Sequence, residues 1–248
     1  MLAVVSPDAY GVACALAVAV CAGICAGARR RPGVWTIWVA RCLGLLLVAD
    51  AVSFVAVLVA DGRFSARYDL PFALCDVAVL VAAAALWWRV PVLCELTWFW
   101  GLAGTLQAVI TPDLSAPFPH VAFFQYLVGH LGIVTAALFL VVGLGIRPRA
   151  AAIGRVFAIT LAYTAFVGVV DWLTDADYMF LRAPPGNWTL LRILGPWPWY
   201  VLSAAAVAFV LITVLDVPFW RSRQAPSSRA RRVSTGSPLV VGPQRRFD

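Results

Sequence analysis

The stretch VWTIWVARCLGLLLVADAVSFVAVLVA, residues 34–60, decides the fold class of this chain. Only Arg41 and Asp50 carry charge within it. A helix needs about 20 predominantly apolar residues to cross the hydrocarbon core of a bilayer. The stretch is therefore predicted to be a membrane-spanning helix.

The composition of the whole chain agrees with this interpretation. Its 248 residues are 62% apolar and 12% charged, and the mean hydropathy is +0.89. A soluble domain is about 45–50% apolar and about 25% charged. These values exclude a water-soluble globular domain and predict an integral membrane protein.

Six further stretches have the length and apolar character of spanning helices. The full set is 8–28, 34–60, 71–88, 91–110, 120–145, 152–173 and 196–216. The first has no basic region before its apolar run and is followed by Arg29, Arg30 and Arg31, which is a stop-transfer pattern rather than a signal peptide. We therefore expect an all-α fold, a bundle of seven transmembrane helices.

The arginines predict the orientation of this bundle. The connections after helices 1, 3 and 5, together with the C-terminal tail, hold 14 arginines, whereas the opposite side holds 4. Because basic residues concentrate on the cytoplasmic side, we expect the N-terminus outside and the C-terminus inside. The expected location is the cytoplasmic membrane, with multiple passes.

The end of the chain differs in composition from the rest. Residues 221–248 contain 7 arginines with Ser and Pro, and too little apolar content to fold. We expect two regions, a transmembrane domain over 1–220 and a disordered cytoplasmic tail over 221–248. Such a tail favours contact with anionic lipid headgroups, and no nucleic-acid partner is expected.

Polar side chains in or near the spans are candidates for function, because they are costly in hydrocarbon without a partner. The set is Asp50, Cys75, Asp76, Glu95, Gln107, Asp113, Gln125, His130 and Asp171. Counting helix rise places all of them except Glu95 in the outer half of the bundle. For Glu95 we expect a structural partner, Arg41 or Arg89.

Cys75 and His130 are the one thiol–imidazole combination in this outer zone. A thiol needs a base to become a nucleophile, and His is the usual supplier. With Pro71 in the first turn of helix 3 and Asp69 as its N-cap, the two side chains differ in depth by about 9 Å. The difference closes if helix 5 begins near Phe123. The alternative is that Cys75 only packs and His130 forms a helix–helix hydrogen bond.

Other chemistries lack their motifs. The sequence has no nucleophile elbow of the G-x-S-x-G type, no phosphate-binding glycine loop and no H-E-x-x-H. The six cysteines form no C-x-x-C pair, and no zinc-ligand spacing exists. We expect neither a metal nor a soluble cofactor.

Several strings in the chain resemble a known family. They are LPFALCD (70–76), ELTWFWGLAGTLQAVITPDL (95–114), FPHVAFFQYLVGH (118–130), DYMFLRAPP (177–185) and LGPWPWY (194–200). Together they resemble the YwaF-type family of bacterial integral membrane proteins, which is similar to eukaryotic transmembrane protein 164. The resemblance covers roughly 70–216. It departs at Ala73, where bacterial members often have His.

The resemblance implies a cysteine-dependent acyltransferase, the activity described for the eukaryotic relatives, which remodel ether phospholipids. The essential Cys and His of the family correspond to Cys75 and His130. The predicted function is therefore thiol-mediated acyl transfer or hydrolysis on a membrane lipid. Side chains that can support it or bind substrate are Asp76, Gln107, Asp113, Gln125 and Asp171, of which Gln107 or Gln125 can donate to an oxyanion.

Two other functions fit the same residues. A transporter or small-molecule binding protein can line a polar path with Asp50, Asp76, Glu95, His130 and Asp171. A structural or assembly protein is the third alternative, which the many polar side chains disfavour. The sequence identifies membrane lipids as substrate or solvent and names no protein partner.

Overall fold

The computed structural model describes residues 7–112, 114, 116–184 and 189–224, and the regular secondary structure in these ranges is helical. The α-helices are α1 (Pro7–Arg30), α2 (Trp35–Ala60), α3 (Leu74–Trp88), α4 (Pro91–Phe99), α5 (Leu106–Ile110), α6 (Val121–Leu138), α7 (Ala152–Thr174) and α8 (Trp199–Gln224). The expected all-α fold is confirmed for the described residues.

Two π-helical segments join or extend these helices. Trp100–Thr105 connects α4 to α5, so that the two form one continuous rod, and Phe139–Gly143 extends α6. Among the described residues, six rods are long and apolar enough to cross a membrane. Their spans are Asp8–Arg30, Trp35–Ala60, Pro91–Ile110, Val121–Gly143, Ala152–Thr174 and Trp199–Arg221. The chain is therefore a multi-pass membrane protein.

Helix α3 is apolar but has only 15 residues, and it begins at Leu74 rather than at Pro71. A two-residue turn joins the end of α3 to the start of α4, so these two helix ends lie at about the same depth. The rod Pro91–Ile110 has 20 residues. At 1.5 Å per residue, α3 begins about 8 Å short of the far end of its neighbour. Residues 61–73, here called the recessed segment, occupy the space above it.

The core of the molecule forms around α3. This helix contacts α2, α4 and α6, and small buried side chains such as Ala82 and Ala83 allow the close approach. Glycines do the same on facing helices. A Cβ on Gly132 of α6 would lie 2.7 Å from Leu47 on α2, and one on Gly101 would lie 3.2 Å from Ala137. These contacts set the spacing of the rods.

The buried carboxylate of Glu95, 2% exposed, accepts hydrogen bonds from two arginines that the sequence did not point to. Nε of Arg149 lies 2.8 Å from Oε1, and Nε of Arg155 lies 2.9 Å from Oε2. The expected partners were wrong, since Arg41 instead lies over the Trp87 ring at 5.7 Å. Hydropathy gives the depth of a residue but not which helix it faces.

Helix α8 continues past the predicted start of the tail, to Gln224. Nη2 of Arg223, which lies two turns after Asp216, donates to both carboxylate oxygens of Asp216 at 2.6 Å. The same guanidinium donates to the Arg149 carbonyl at 2.9 Å. Residues 225–248, on which the rest of the tail prediction falls, lie outside the described residues.

Candidate functional site

A cavity of about 890 Å³ opens between α2, α3, α6 and the recessed segment. Its polar lining consists of Asp50, Asp69, Cys75, Asp76, Gln125, Tyr126 and His130. The remaining lining is mostly apolar and includes Val52, Phe54, Val55, Val59, Val79 and Leu80. Five of the polar residues singled out from the sequence therefore face one space, namely Asp50, Cys75, Asp76, Gln125 and His130.

Cys75 lies at the start of α3, in its second position. Ala73 is the N-cap, with an extended backbone. Asp76, in the third position, accepts a hydrogen bond from the N–H of Ala73. This is the backward half of a capping box. Asp69 is not the N-cap that the sequence suggested, because its carboxylate accepts from the Ser65 N–H at 2.8 Å within the recessed segment.

His130 is fixed on α6 by the residue one turn before it. Its Nδ1 lies 2.7 Å from the carbonyl oxygen of Tyr126, and the two rings stack with centroids 4.0 Å apart. The Tyr126 hydroxyl in turn donates to the carbonyl of Ala108 on α5 at 2.7 Å. Nε2 is then the imidazole atom left to accept a proton.

A short hydrogen-bonded chain connects α6 to α2 across the cavity. Nε2 of Gln125 donates to the Ser53 hydroxyl at 2.9 Å, and Ser53 donates to the Asp50 carbonyl at 2.9 Å. The Asp50 carboxylate lies against Gly129, where a Cβ would come within 3.2 Å of Oδ2. The amide of Gln125 has a second N–H that can reach a bound group.

Two predicted supporting residues, Gln107 and Asp171, lie elsewhere. Gln107 is half-buried on α5 and is not among the cavity-lining residues. Asp171, 1% exposed, is at the end of α7, where Oδ1 accepts from the Tyr178 N–H at 2.9 Å. Asp113 lies outside the described residues. The structure thus separates the cavity residues from a second group around Asp171.

The recess of α3 brings Cys75 closer to the depth of His130 than the sequence predicted. Counting helix rise along the sequence placed the two side chains about 9 Å apart in depth. We expected the fifth predicted helix, 120–145, which corresponds to α6, to begin only near Phe123. Helix α6 begins instead at Val121, with His120 as its N-cap. The start of α3, about 8 Å below the far end of the neighbouring rod, places Cys75 about 3 Å deeper than the count from Pro71 did, which reduces the difference to about 6 Å.

Several residues of the site were missed from the sequence. Tyr126 precedes His130 by four residues, which is helical spacing for a stacked pair, so this contact had a readable signal. Thr105, buried at the end of the π-helical segment, is a polar neighbour of Cys75. Ser53 and Tyr178 had no such signal, because their partners are distant in the sequence.

Outside the helices, the connection from α7 to α8 makes a second polar cluster. Asp175 pairs with Arg182 at 2.9 Å and with Arg67 of the recessed segment at 2.8 Å. These two arginines hold the pKa of the Asp175 carboxyl below its usual value. Burial raises the pKa of the nearby Tyr178 hydroxyl above its usual value.

Among the described residues, no group of three His, Cys, Asp or Glu side chains is arranged to hold a metal ion. The chemistry that the cavity can support depends on its thiol, imidazole, carboxylates and amide. These groups suit nucleophilic attack assisted by a base, or the binding of a polar group.

Comparison with known proteins gives the relationship of the chain. An uncharacterized protein of Treponema pallidum (strain Nichols) is 29% identical over 161 residues, a match that covers 64% of this chain and 65% of the Treponema protein. No solved structure matches significantly. The model of the TMEM164 family matches residues 5–216, most of the chain, and the protein therefore belongs to the TMEM164 family.

Proposed function

We propose that this protein is a cysteine-dependent lipid acyltransferase or acyl hydrolase that acts on membrane phospholipids. The observation that carries the proposal is that Cys75 and His130 line one cavity whose other walls are largely apolar. Resemblance to the YwaF-type branch of membrane proteins supports it as well. The reacting thiol is Cys75, and the base is His130.

In the first half of the reaction, Sγ of Cys75 attacks the ester carbonyl of a phospholipid while Nε2 of His130 takes the thiol proton. The carbon–sulfur bond forms and the ester C–O bond breaks. His130 returns the proton to the leaving alcohol, so that a lysophospholipid departs and an acyl thioester remains on Cys75. In the second half, the hydroxyl of a second lysophospholipid, or water, attacks the thioester. His130 takes its proton and passes it to the departing thiolate.

The developing oxyanion needs donors near Cys75. Leu74 and Cys75 occupy the first turn of α3, where backbone N–H groups have no partner within the helix. These N–H groups and the second amide N–H of Gln125 can stabilise the negative charge. Gln107, which we also considered for this role, is not among the residues lining the cavity.

The apolar wall of the cavity suits an acyl chain. Val52 and Val59 of α2 line the cavity and are 61% and 58% exposed, so this wall reaches the lipid-facing surface. An acyl chain can therefore enter sideways from the bilayer without passing through water. The reaction needs no soluble cofactor.

The proposal includes seven membrane crossings, with α3 as the short one, in the cytoplasmic membrane. The 14 to 4 distribution of arginines favours an outside N-terminus and an inside C-terminus. In that orientation the cavity lies in the outer half of the bundle. The substrate is then drawn from the outer leaflet.

A transporter is the competing function, and two observations disfavour it. Its polar path included Glu95, which is 2% exposed and bound by Arg149 and Arg155 rather than facing the cavity. It also included Asp171, which is committed to Tyr178. The carboxylates that remain on the cavity, such as Asp50 and Asp76, lie on one side of the bundle.

Lipid analysis of a strain lacking the protein tests the proposal. The strain is complemented with wild type, with Cys75→Ala, or with Cys94→Ala, a matched change of a buried cysteine away from the cavity. We expect the acyl composition of phospholipids to shift in the deletion strain and to be restored by wild type and Cys94→Ala only. Restoration by Cys75→Ala at equal protein level rejects the proposal.

A further inference from the structure

We propose that Tyr178 is a positioning residue for Cys75: its hydroxyl holds the recessed segment in place and so sets the depth at which α3 begins. The inference rests on the proposed function for the role of Cys75 as the reacting group. The positioning itself concerns the depth of a side chain and can be tested without the reaction.

The hydroxyl of Tyr178 makes two hydrogen bonds with the recessed segment. It accepts from the Leu70 N–H at 2.9 Å and donates to the Ala66 carbonyl at 2.9 Å. Both partners are backbone groups in the few residues before Cys75. A helix would satisfy these groups internally, whereas here a side chain from another element does so. A tyrosine hydroxyl carries its proton at physiological pH, so it can donate and accept together.

The aromatic ring of Tyr178 holds the same segment by packing. Phe72 meets the Tyr178 ring edge to face at 5.7 Å and the Phe166 ring of α7 at the same distance. The Tyr163 hydroxyl of α7 donates to the Phe72 carbonyl at 2.9 Å. Phe72 immediately precedes the N-cap of α3. The contacts therefore reach to within three residues of the thiol.

Tyr178 is itself held in place by a neighbouring residue, so it can fix the position of the recessed segment. Its N–H donates to Oδ1 of Asp171, a buried carboxylate at the end of α7. On the outer side, Asp175 bridges Arg182 to Arg67 of the recessed segment. The strings LPFALCD (70–76) and DYMFLRAPP (177–185), far apart in the sequence, thus meet at one hydroxyl.

The test measures how deeply Cys75 is placed. In a chain that keeps Cys75 and has the other five cysteines changed to Ala, reconstituted in nanodiscs, two methanethiosulfonates are compared: the uncharged methyl reagent and a membrane-impermeant sulfonate. The ratio of sulfonate to methyl labelling rates reports depth. We expect Tyr178→Phe to raise this ratio about fivefold or more, because the change removes both hydrogen bonds of the hydroxyl.

Tyr10→Phe is the matched control. The Tyr10 hydroxyl donates to the Val109 carbonyl at 2.7 Å, so this change also removes one tyrosine hydroxyl, from α1 and away from the recessed segment. We expect its labelling ratio to match the parent chain. The pH profile of methyl labelling gives a second readout, which should move toward that of His130→Ala in Tyr178→Phe only.

A folded Tyr178→Phe protein with the parent ratio and the parent pH profile overturns the positioning role. If Tyr178→Phe fails to fold, Asp175→Asn weakens a second tie to the recessed segment, the ion pair with Arg67, and should raise the ratio in the same direction; an unchanged ratio there also overturns the positioning role. If lipid analysis shows no dependence on Cys75 while Tyr178→Phe still raises the ratio, the proposed function fails and the positioning role stands.

Discussion

Nδ1 of His130 lies 2.7 Å from the carbonyl oxygen of Tyr126. A carbonyl oxygen only accepts hydrogen bonds, so Nδ1 carries the imidazole proton and Nε2 keeps a free lone pair. The stacked Tyr126 ring fixes the orientation. The carbonyl oxygen of Tyr126 thus orients the imidazole and selects its tautomer.

The first prediction concerns the thiol. In the chain that keeps Cys75 alone, His130→Ala should slow alkylation by a lipid-permeant iodoacetamide at neutral pH by about tenfold or more, because the base that accepts the thiol proton is lost. Rates are followed by mass spectrometry of the intact protein.

His120→Ala provides the control for that experiment, since His120 caps α6 by accepting from the Ala122 N–H and does not line the cavity. Its alkylation rate should equal that of the parent. Equal alkylation rates in the parent, His130→Ala and His120→Ala chains would show that Cys75 and His130 only pack and do not react together.

The second prediction concerns the contact of α2 with α6. Gly132→Ala should destabilise the protein by about 1–3 kcal/mol, because the new Cβ would lie 2.7 Å from Leu47 and the two rods must separate. Gly154→Ala, on α7 with nothing within 4 Å, should have little effect. Both are measured as thermal unfolding in detergent.

A double change tests the cause of that effect. Leu47→Ala combined with Gly132→Ala should cost less than the sum of the two single changes, since the smaller side chain leaves room for the Cβ. Simple additivity would show that the Leu47 contact is not the source.

The third prediction concerns Glu95. Replacing it with Gln leaves Arg149 and Arg155 without their counter-charge, and we expect a loss of stability on the order of 2 kcal/mol. This is below the cost for a fully buried pair, because the two arginine side chains are 49% and 32% exposed. Alkylation of Cys75 should be unchanged in the folded fraction. Loss of lipid activity as complete as in Cys75→Ala, in a stably inserted protein, would contradict a structural role.

The fourth prediction concerns orientation. A reporter active only outside the cytoplasm should be inactive when fused after Arg149 or in the tail, and active when fused within 174–192, because arginines are retained on the inner side. A reporter that is active only inside serves as the reciprocal control. The reverse pattern of activities would place the cavity in the inner half.

The fifth prediction concerns pH. The pKa of Asp175 is lowered by Arg182 and Arg67, so its ion pairs add stability above the unfolded pKa of about 3.9 and lose it as pH falls through the lower folded value. The difference in melting temperature between wild type and Asp175→Asn should be constant from about pH 5 to 8 and should shrink below about pH 4. Because these side chains are exposed, high salt should reduce the difference at every pH. A difference that grows on acidification would contradict the assignment.

Much of the fold was readable because span length depends on local composition. The stretch 34–60 predicted α2 to within a residue at its start, and 91–110 matched the rod formed by α4 and α5. Helix rise alone predicted that Cys75, Asp76, Gln125 and His130 share the outer half of the bundle, with Cys75 and His130 at different depths. The structure places all four side chains on one cavity.

What the sequence did not give depends on contacts between distant parts of the chain. Pro71 is a good first-turn residue, yet α3 starts at Leu74 because Tyr163 and Tyr178 hold the preceding backbone in a non-helical course. Glu95 faces Arg155 because α4 packs against α7, and it faces Arg149 because the connection before α7 passes the same carboxylate. Asp171, ranked as a site residue, proved to be the acceptor for Tyr178.

The hydrogen bond between Leu70 and Tyr178 joins residues that are 108 positions apart. At about 5–20 residues per second, a ribosome needs about 5–20 s to add that length of chain. The recessed segment thus leaves the ribosome well before its anchor is synthesised. The residues that line the cavity all fall within 50–133. A nascent chain that has not yet reached α7 contains each of these residues but not the tyrosine that sets the level of α3, so this part of the bundle can be completed only late in biosynthesis.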